Sequence, residues 1–262
     1  MAEGSPRPNE RWCYDKEMFD LIGVFVFLLG LIVGSFLNVV IYRYNTGLSM
    51  ARGRSMCLSC GKTLRIFELV PVLSFLMQKG KCSICLIKLS WQYPAVELTT
   101  GILFTIAFLL AVSIQAMIFW WIVFSLFVVI SVYDLRHMII PDGPAYALIA
   151  LGFVRALVDS RPEDFISAFT IAGFFAILWL VSGGRWMGFG DAKLSLGIGL
   201  LLPFSINITA IAYGFWAGAI ISIGLMIAKK ANLKFSSEIP FAPFLVLGAV
   251  LAFLFPFTLL PL

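Results

Sequence analysis

Long apolar runs are the feature that most limits what this chain can fold into. Hydropathy divides most of the sequence into about eight such runs, several of them near twenty residues long. A helix needs about 20 apolar residues to cross a hydrocarbon core about 30 Å thick. Because lipid offers the backbone no hydrogen-bond partners, runs of this kind fold as helices. The sequence therefore predicts an all-α polytopic membrane protein.

The composition agrees with a membrane class and opposes a soluble one. Hydrophobic residues make up 61% of the chain, charged residues 13%, and the mean hydropathy is +0.98. Soluble domains are about half apolar and about a quarter charged. The apolar/polar alternation of an outer-membrane barrel is missing. The first run is too long for a removable signal peptide, and no small-residue cleavage site follows it.

The eight expected spans divide the chain into a bundle with one long loop. They are Phe19–Tyr42, Tyr93–Val112, Gln115–Tyr133, Pro141–Val158, Phe165–Ser182, Ala192–Phe204, Ile206–Ala228 and Pro240–Leu260. The sixth is short and rich in glycine, so it is expected to be tilted, packed inside the bundle or not quite full-depth.

Basic residues concentrate in the loop between the first two spans. Residues 43–92 contain eight lysines and arginines but a single acid, Glu68. Loops that stay in the cytoplasm carry such an excess of positive charge. This places residues 43–92 inside and, with eight spans, both termini outside; Asp159, Glu163 and Asp164 then lie in an outer loop. The net charge of +5 follows from this topology, and no nucleic-acid partner is expected.

Two aspartates stand at the ends of apolar runs on the same predicted membrane face. Asp134 ends the third span and Asp191 opens the sixth. A carboxylate beside hydrocarbon is costly, so such a residue indicates a functional site. Two carboxylates that lie close together do not both ionise easily and can share one proton, as in aspartic proteases. For either residue alone, a solvated helix end is the alternative.

Four cysteines of the basic loop form two CxxC pairs. Cys57 and Cys60 make the first pair, and Cys82 and Cys85 the second. Pairs at this spacing are typical of a tetrahedral Zn²⁺ bound by four thiolates. Disulfides are the alternative, which a reducing cytosol disfavours. A four-thiolate site leaves no open position for catalysis, so the predicted zinc is structural. Cys13, on the outer side, is expected to be inert in function, with an intermolecular bridge as the alternative.

Six motifs, in order along the chain, resemble those of the type IV prepilin peptidases (prepilin leader peptidase/N-methyltransferases). They are Gly34–Arg43, the paired CxxC loop, Tyr93–Leu98, Asp134–Asp142, Gly188–Lys193 and Ile239–Phe244. The element Gly188-x-Gly190-Asp191 is also similar to the GxGD element of presenilin-like intramembrane proteases. Together the six motifs cover residues 34 to 244.

The resemblance implies a membrane aspartic endopeptidase with Asp134 and Asp191 as its catalytic pair. The family cleaves the leader of type IV prepilins or type II secretion pseudopilins after a glycine, at the cytoplasmic face of the bacterial inner membrane. Bacterial members often also N-methylate the new N-terminal residue with S-adenosylmethionine. The implied organisation is an N-terminal segment outside the cytoplasm (1–18), a first helix (19–42), a zinc-binding loop (43–92) and a transmembrane protease core (93–262).

The predicted mechanism is general acid–base hydrolysis. One ionised aspartate takes a proton from water, while its protonated partner polarises the scissile carbonyl and then donates to the leaving amine. Gly188 and Gly190 lack side chains, which lets the Asp191 backbone approach a neighbouring helix and an extended substrate. Partners implied by the resemblance are prepilins or pseudopilins in a lipid bilayer.

Several other residues are expected to support this chemistry. Lys193 either stabilises a carboxylate or extends to the membrane surface. Glu97 either pairs with a basic loop residue or helps to bind substrate or methyl donor. By resemblance, Asp142 aligns with a motif position other than the catalytic one, and Gly80 and Lys81 mark the methyl-donor region.

Three other classes are weighed against this interpretation. A proton-coupled transporter also uses paired carboxylates, but it normally has internal repeats, which the sequence lacks. A zinc-loop scaffold without enzyme activity leaves the GxGD element unexplained. A presenilin-like intramembrane protease is the nearest rival, and the double CxxC loop and the Pro240–Pro243 stretch oppose it.

Overall fold

The computed structural model describes residues 16–50, 52–228 and 240–256. Cys13, Ile239 and residues 1–15 of the expected N-terminal segment lie outside these ranges. Within them the structure is helical, with no β-strand and only two isolated β-bridges, both in the cysteine loop. The predicted all-α class is confirmed.

The described chain forms a series of helices that follows the apolar runs. They are α1 (Lys16–Arg43), α2 (Leu73–Met77), α3 (Gln92–Leu110), α4 (Ile114–His137), α5 (Asp142–Asp159), α6 (Pro162–Ser182), α7 (Phe189–Leu201), α8 (Phe204–Ala228) and α9 (Ala242–Leu254), with a 3-10 turn at Ile66–Glu68. All except the short α2 lie along the expected spans. Their ends agree to within a few residues, except that α9 ends at Leu254 and the eighth expected span continues to Leu260, with residues 257–260 outside the described ranges.

Five of these helices are long and apolar enough to cross a membrane, namely α1, α3, α4, α6 and α8. The chain is therefore a multi-pass membrane protein. The other three expected spans lack one of these properties in the described residues. Helices α7 and α9 have 13 residues each, and the 18-residue α5 carries Asp142, Arg155 and Asp159.

The chain divides into two compact units, Met1–Phe124 and Ser125–Leu262, and the division falls within α4. In the first unit, α1 packs along α3 through small residues. A Cβ added to Gly30 would lie 2.7 Å from the Gly101 Cα, and one added to Gly34 would lie 2.7 Å from the Glu97 Cα. Glycine at these positions lets the two backbones touch, as is common between helices in lipid.

In the second unit, α7 is the most enclosed element. It packs against α5 and α6 and also touches α8 and α9. Glycines again allow the close approach: a Cβ on Gly152 would lie 2.7 Å from the Leu200 Cβ, and one on Gly199 would lie 2.7 Å from the Ala168 Cα. The short sixth span is thus packed inside the bundle.

The C-terminal end of α7 is held by polar side chains from its neighbours. With 13 residues, α7 is about 20 Å long and ends short of a full crossing. Its last carbonyls need partners there, because lipid supplies none. Asn207 Nδ2 donates to the Gly199 carbonyl at 2.9 Å and to the Leu202 carbonyl at 3.3 Å. The Arg155 guanidinium donates to the Leu201 carbonyl.

Asp164, expected in an outer loop next to the fifth span, has its side chain buried in the first turn of α6. Its Oδ1 accepts the Phe204 N–H at 2.7 Å. This N–H belongs to the first turn of α8 and has no partner within its own helix. The carboxylate is buried because it satisfies that helix terminus.

Candidate active site

Asp134 lies in the last turn of α4 and is bound to the beginning of α9. Its side chain is 5% exposed. Its Oδ2 accepts the backbone N–H of Ala242 at 3.2 Å. Ala242 is the first residue of α9, whose N-cap residue Phe241 supplies no capping side chain. The carboxylate therefore caps a helix N-terminus, where the helix dipole stabilises negative charge.

Asp191 lies in the first turn of α7, three residues after the N-cap Gly188. It is 8% exposed. Its own N–H donates to the Gly188 carbonyl at 3.2 Å. The backbone turn at the start of α7 thus holds Asp191 in the first turn of that helix.

The two carboxylates interact electrostatically. Asp134 exerts a direct Coulombic effect on Asp191. Both side chains are almost excluded from water, so their repulsion is screened much less than at a protein surface. Two negative charges in this setting are costly, and a single shared proton relieves the cost. The arrangement suits acid–base chemistry in which one carboxyl donates and the other accepts.

The two glycines of the GxGD element have different surroundings. A Cβ on Gly190 would lie 2.9 Å from the Ile140 Cβ, closer than real Cβ contacts allow. A Cβ on Gly188 would lie 3.8 Å from Asp191 Oδ2, an ordinary contact. Gly190 therefore lets α7 approach the turn before α5, whereas the packing does not require a glycine at 188.

Lys193 contacts the carboxylate of Asp142. Its Nζ forms an ion pair with Asp142 Oδ1. The ammonium also lies 5.4 Å from the Tyr146 ring centroid and 5.8 Å from that of Phe189. Asp142 is the first residue of α5. The pair therefore ties the first turn of α5 to that of α7, beside Asp191.

Glu97 has neutral hydrogen-bond partners. Its buried Oε2 accepts the Val72 N–H at 2.7 Å, and the Ser35 side chain is a second partner. Within the described ranges no lysine or arginine is in ion-pair distance of it. The expected pairing with a basic loop residue is wrong, because the carboxylate is used to hold loop backbone against α1 and α3. A role in binding substrate or methyl donor stays a prediction.

The four cysteines of the loop converge on one point. All four Sγ atoms lie within 4.8 Å of one another, and the Cys57 and Cys85 sulfurs are 3.8 Å apart. A tetrahedron with metal–sulfur bonds of about 2.3 Å has sulfur–sulfur edges of about 3.8 Å. None of the four forms a disulfide. The group can therefore hold a metal ion.

The two CxxC pairs fold alike. The Gly61 N–H donates to the Cys57 carbonyl at 2.9 Å, and the Leu86 N–H donates to the Cys82 carbonyl at 3.1 Å. Gly61 has φ of 69° and Leu86 has φ of 57°. Both knuckles thus need a left-handed residue just after the second cysteine. Glycine adopts this conformation readily and leucine at a cost.

The thiols of this group differ in acidity. The backbone N–H groups of Ile84 and Cys85 donate to Cys82 and lower the pKa of its thiol to about 6. The Lys62 N–H lowers the pKa of Cys60, but desolvation and the neighbouring thiols outweigh it and raise that pKa to about 11. Four adjacent thiolates repel one another, so a bound cation is needed to compensate their charge.

Gly80 and Lys81 lie in a tightly folded stretch of the loop. Gly80 has φ of 67°, and a Cβ there would lie 3.1 Å from Phe75 Cζ. Lys81 forms an isolated β-bridge with Lys88. Gly80 is therefore required by the local fold, whatever part the stretch has in binding a methyl donor.

The structure adds residues that the sequence did not single out. Ala242 supplies the hydrogen bond to Asp134, and Ile140 packs on Gly190. The motif that contains Ala242 is identified only by resemblance, and the resemblance assigns Ala242 no role. Ile140 precedes the Pro141-Asp142 pair, but its contact with α7 depends on the tertiary fold.

The fold and the site define a class: an α-helical multi-pass membrane protein with paired buried aspartates at one end of its second unit and a four-thiol loop in its first. Comparison with known families agrees with this class. Residues 28–111 match the model of the bacterial peptidase A24 N-terminal domain, and residues 121–223 match that of the type IV leader peptidase family. The chain belongs to the type IV leader peptidase family.

Curated relatives align with most of the chain. A prepilin leader peptidase/N-methyltransferase of Bacillus subtilis is 34% identical over 88% of this chain and 93% of its own length. A type 4 prepilin-like proteins leader peptide-processing enzyme of Escherichia coli is 32% identical over 84% of this chain and 89% of its own. A prepilin leader peptidase/N-methyltransferase of Pseudomonas aeruginosa is 29% identical over 87% and 88%. No solved structure gives a significant match.

Proposed function

We propose that this protein is a membrane aspartic endopeptidase that removes the short leader of type IV prepilins or type II secretion pseudopilins, cutting after a glycine. The observation that carries the proposal is the interaction of two buried carboxylates, Asp134 and Asp191, at one end of the second unit. The names of the relatives supply the substrate class.

The hydrogen bond to α9 assigns different tasks to the two aspartates. Asp134 is the ionised partner, because the Ala242 N–H and the start of α9 stabilise its charge. It takes a proton from the attacking water. Asp191 holds the shared proton, polarises the scissile carbonyl and then donates to the leaving amine. No covalent intermediate forms.

Gly188 provides room for the substrate backbone beside Asp191. Packing within the protein does not require a glycine there, so the missing side chain serves what enters the site. The chain around the scissile bond must be extended and unhindered, which a glycine before the cut also allows.

Mass spectrometry of the cleavage products tests the proposed specificity. Purified protein in phospholipid vesicles is incubated with a prepilin and with the same prepilin carrying valine for the glycine before the cut. We expect one product that begins directly after the glycine, and little product from the valine substrate. Cuts inside the apolar helix of the substrate would instead identify an intramembrane protease, and an intact prepilin would refute peptidase activity.

N-methylation of the new N-terminal residue, with S-adenosylmethionine as donor, is the second proposed activity. It is supported by the names of the Bacillus subtilis and Pseudomonas aeruginosa relatives, both N-methyltransferases as well as peptidases. Lys81→Gln tests the donor region better than a change at Gly80, where a side chain would collide with Phe75. We expect wild type to transfer a radiolabelled methyl group and Lys81→Gln to cleave without transfer. Unlabelled product from wild type would remove this activity and leave the peptidase.

A structural Zn²⁺ held by Cys57, Cys60, Cys82 and Cys85 is the proposed cofactor. The Cys57–Cys85 sulfur separation equals the edge of a tetrahedral site, and all four sulfurs lie within 4.8 Å of one another. Bound zinc would fix the loop and compensate the thiolate charge. Elemental analysis should find one zinc per chain in wild type, none in Cys60→Ser, and one in the control Cys13→Ser. Zinc retained at full occupancy in Cys60→Ser would contradict the four-thiolate site.

The proposed location is the bacterial inner membrane, with both termini outside and the aspartates at the cytoplasmic face. Arg136, Arg185 and Lys193 lie at the aspartate end of the second unit, which agrees with the positive-inside rule. Alkaline phosphatase fused after Ser160 should be active, and green fluorescent protein fused after Arg185 should fluoresce. The reverse pattern would invert the topology.

A further inference from the structure

The loop between the two cysteine pairs exposes many apolar side chains. Ile66, Phe67 and Met77 are 79%, 80% and 75% exposed, and Leu69, Leu73 and Leu76 are exposed as well. All belong to residues 66–77, called here the 66–77 segment. So many large apolar groups within twelve residues mark an interaction surface.

A partly buried hydrogen bond fixes the depth of this segment beside the transmembrane helices. The Val72 N–H donates to Glu97, which lies five residues into α3. Ser35 also bonds to Glu97 and lies eight residues before the end of α1. At 1.5 Å per residue these positions are about 7 and about 12 Å inside the helix ends. The middle of the segment therefore lies within the level of the two helices.

A second contact holds the segment at the same level. The Phe75 ring packs on Trp91, the N-cap residue of α3, with ring centroids 4.8 Å apart. Close by, Tyr42 and Tyr93 stack with centroids 5.4 Å apart. Tyrosine and tryptophan gather at the headgroup level of a bilayer. The segment thus runs along the membrane surface that these rings mark.

The exposed charges around the segment are positive. Arg65 precedes it, and Lys79 and Lys81 follow it, all three exposed. Its single acid, Glu68, forms an ion pair with Lys62. Anionic phospholipid headgroups attract such clusters of lysine and arginine.

We propose that the 66–77 segment is a membrane-surface anchor. Its exposed apolar side chains enter the boundary between headgroups and acyl chains in the leaflet at this end of α1 and α3, and the flanking basic residues bind anionic phospholipid. The anchor holds the four-cysteine loop flat on the bilayer. Depth, apolar exposure and charge all fit a lipid surface, and none of them depends on the proposed chemistry.

Photo-crosslinking in vesicles tests the anchor. p-Benzoylphenylalanine replaces Phe67 in the full-length protein, reconstituted in equal amounts of phosphatidylcholine and phosphatidylglycerol. Leu58, which is as exposed but lies in the first cysteine knuckle, is the matched control position. After illumination, mass spectrometry measures phospholipid adducts. We expect at least a threefold excess of adduct at position 67 over position 58, with phosphatidylglycerol enriched over its share of the vesicle.

Two further variants make the result decisive. Replacement of Met77 by the same probe covers the case in which the Phe67 variant does not fold, as judged by its thermal unfolding. The triple variant Arg65→Gln, Lys79→Gln, Lys81→Gln should lose the phosphatidylglycerol enrichment while keeping lipid adducts. The proposal would be overturned if the probes at positions 67 and 77 both formed adducts with the protein itself or with added prepilin in place of lipid. It would also be overturned if their lipid adducts were no more abundant than those at position 58.

Discussion

Asp134 receives its hydrogen bond from Ala242, which lies 108 residues further along the chain. The sequence indicates both aspartates, because each is a charge at the end of an apolar run. It does not indicate the N–H that one of them accepts, since backbone groups leave no trace in residue types. The different tasks proposed for the two aspartates therefore come from tertiary structure.

The two glycines before Asp191 offer a matched pair of substitutions. Gly190→Ala forces a Cβ to within 2.9 Å of Ile140, so we expect a loss of about 1–3 kcal/mol in stability and of most cleavage. Gly188→Ala meets only an ordinary contact and should melt like wild type, while cleavage falls because substrate is excluded. Thermal unfolding in detergent, followed by intrinsic fluorescence, separates the two. Equal melting temperatures for both variants would contradict this division.

The Asp142→Asn variant tests whether an acidic residue close to the two aspartates, but outside the catalytic pair, is needed for cleavage. Asp142 pairs with Lys193 at the surface, and its own side chain is largely exposed. Such pairs contribute less than about 1 kcal/mol. We expect Asp142→Asn to keep cleavage within about tenfold of wild type and to shift melting little. An Asp142→Asn enzyme as inactive as Asp191→Asn would show that the catalytic assignment is incomplete.

The sequence predicts the short length of α7. It does not predict the side chains that hold the C-terminal end of this helix. The glycine-rich run predicts a short helix inside the bundle, and the structure has 13 residues packed between α5 and α6. The polar side chains that hold its far end, Arg155 and Asn207, come from other helices. In the sequence they look like ordinary loop or span residues, because their partners are carbonyl groups.

Asn207→Leu measures that support. The change removes the hydrogen bonds to Ser167, Gly199 and Leu202 and leaves carbonyls buried without partners. We expect a loss of about 1–3 kcal/mol, seen as a lower melting temperature, together with reduced cleavage as α7 loosens. Thr170→Val, an exposed change on α6, is the control and should stay within about 0.5 kcal/mol. Identical melting of Asn207→Leu and wild type would show that α7 does not need this clamp.

For the whole molecule, the sequence predicts the helical membrane class better than it predicts the hydrogen bonds between distant parts of the chain. Apolar runs predict the helices, because the backbone has no hydrogen-bond partners in lipid outside its own helix. The CxxC spacing predicts the four-cysteine group. Glu97 shows where the prediction fails: pairing with a basic loop residue is one of its two expected roles, but its carboxylate accepts a backbone N–H. Asp164, expected only to lie in an outer loop, likewise accepts a backbone N–H. Hydropathy does not show which backbone groups a fold leaves unpaired.

The two aspartates must work as one unit if they share a proton. Removing either one then removes the reaction, and removing the second has little further effect. Independent contributions would instead multiply. This difference separates a catalytic pair from two acids that each assist binding or folding.

The most direct measurement is therefore leader cleavage by wild type, Asp134→Asn, Asp191→Asn and the double variant. Asp20→Asn, at an exposed position of α1, is the control. We expect kcat/KM to fall by about 10²- to 10⁴-fold in each single variant, and the double variant to be no slower than the slower single. Full activity in either single variant, or a double variant whose loss is the product of the two single losses, would contradict a shared catalytic site.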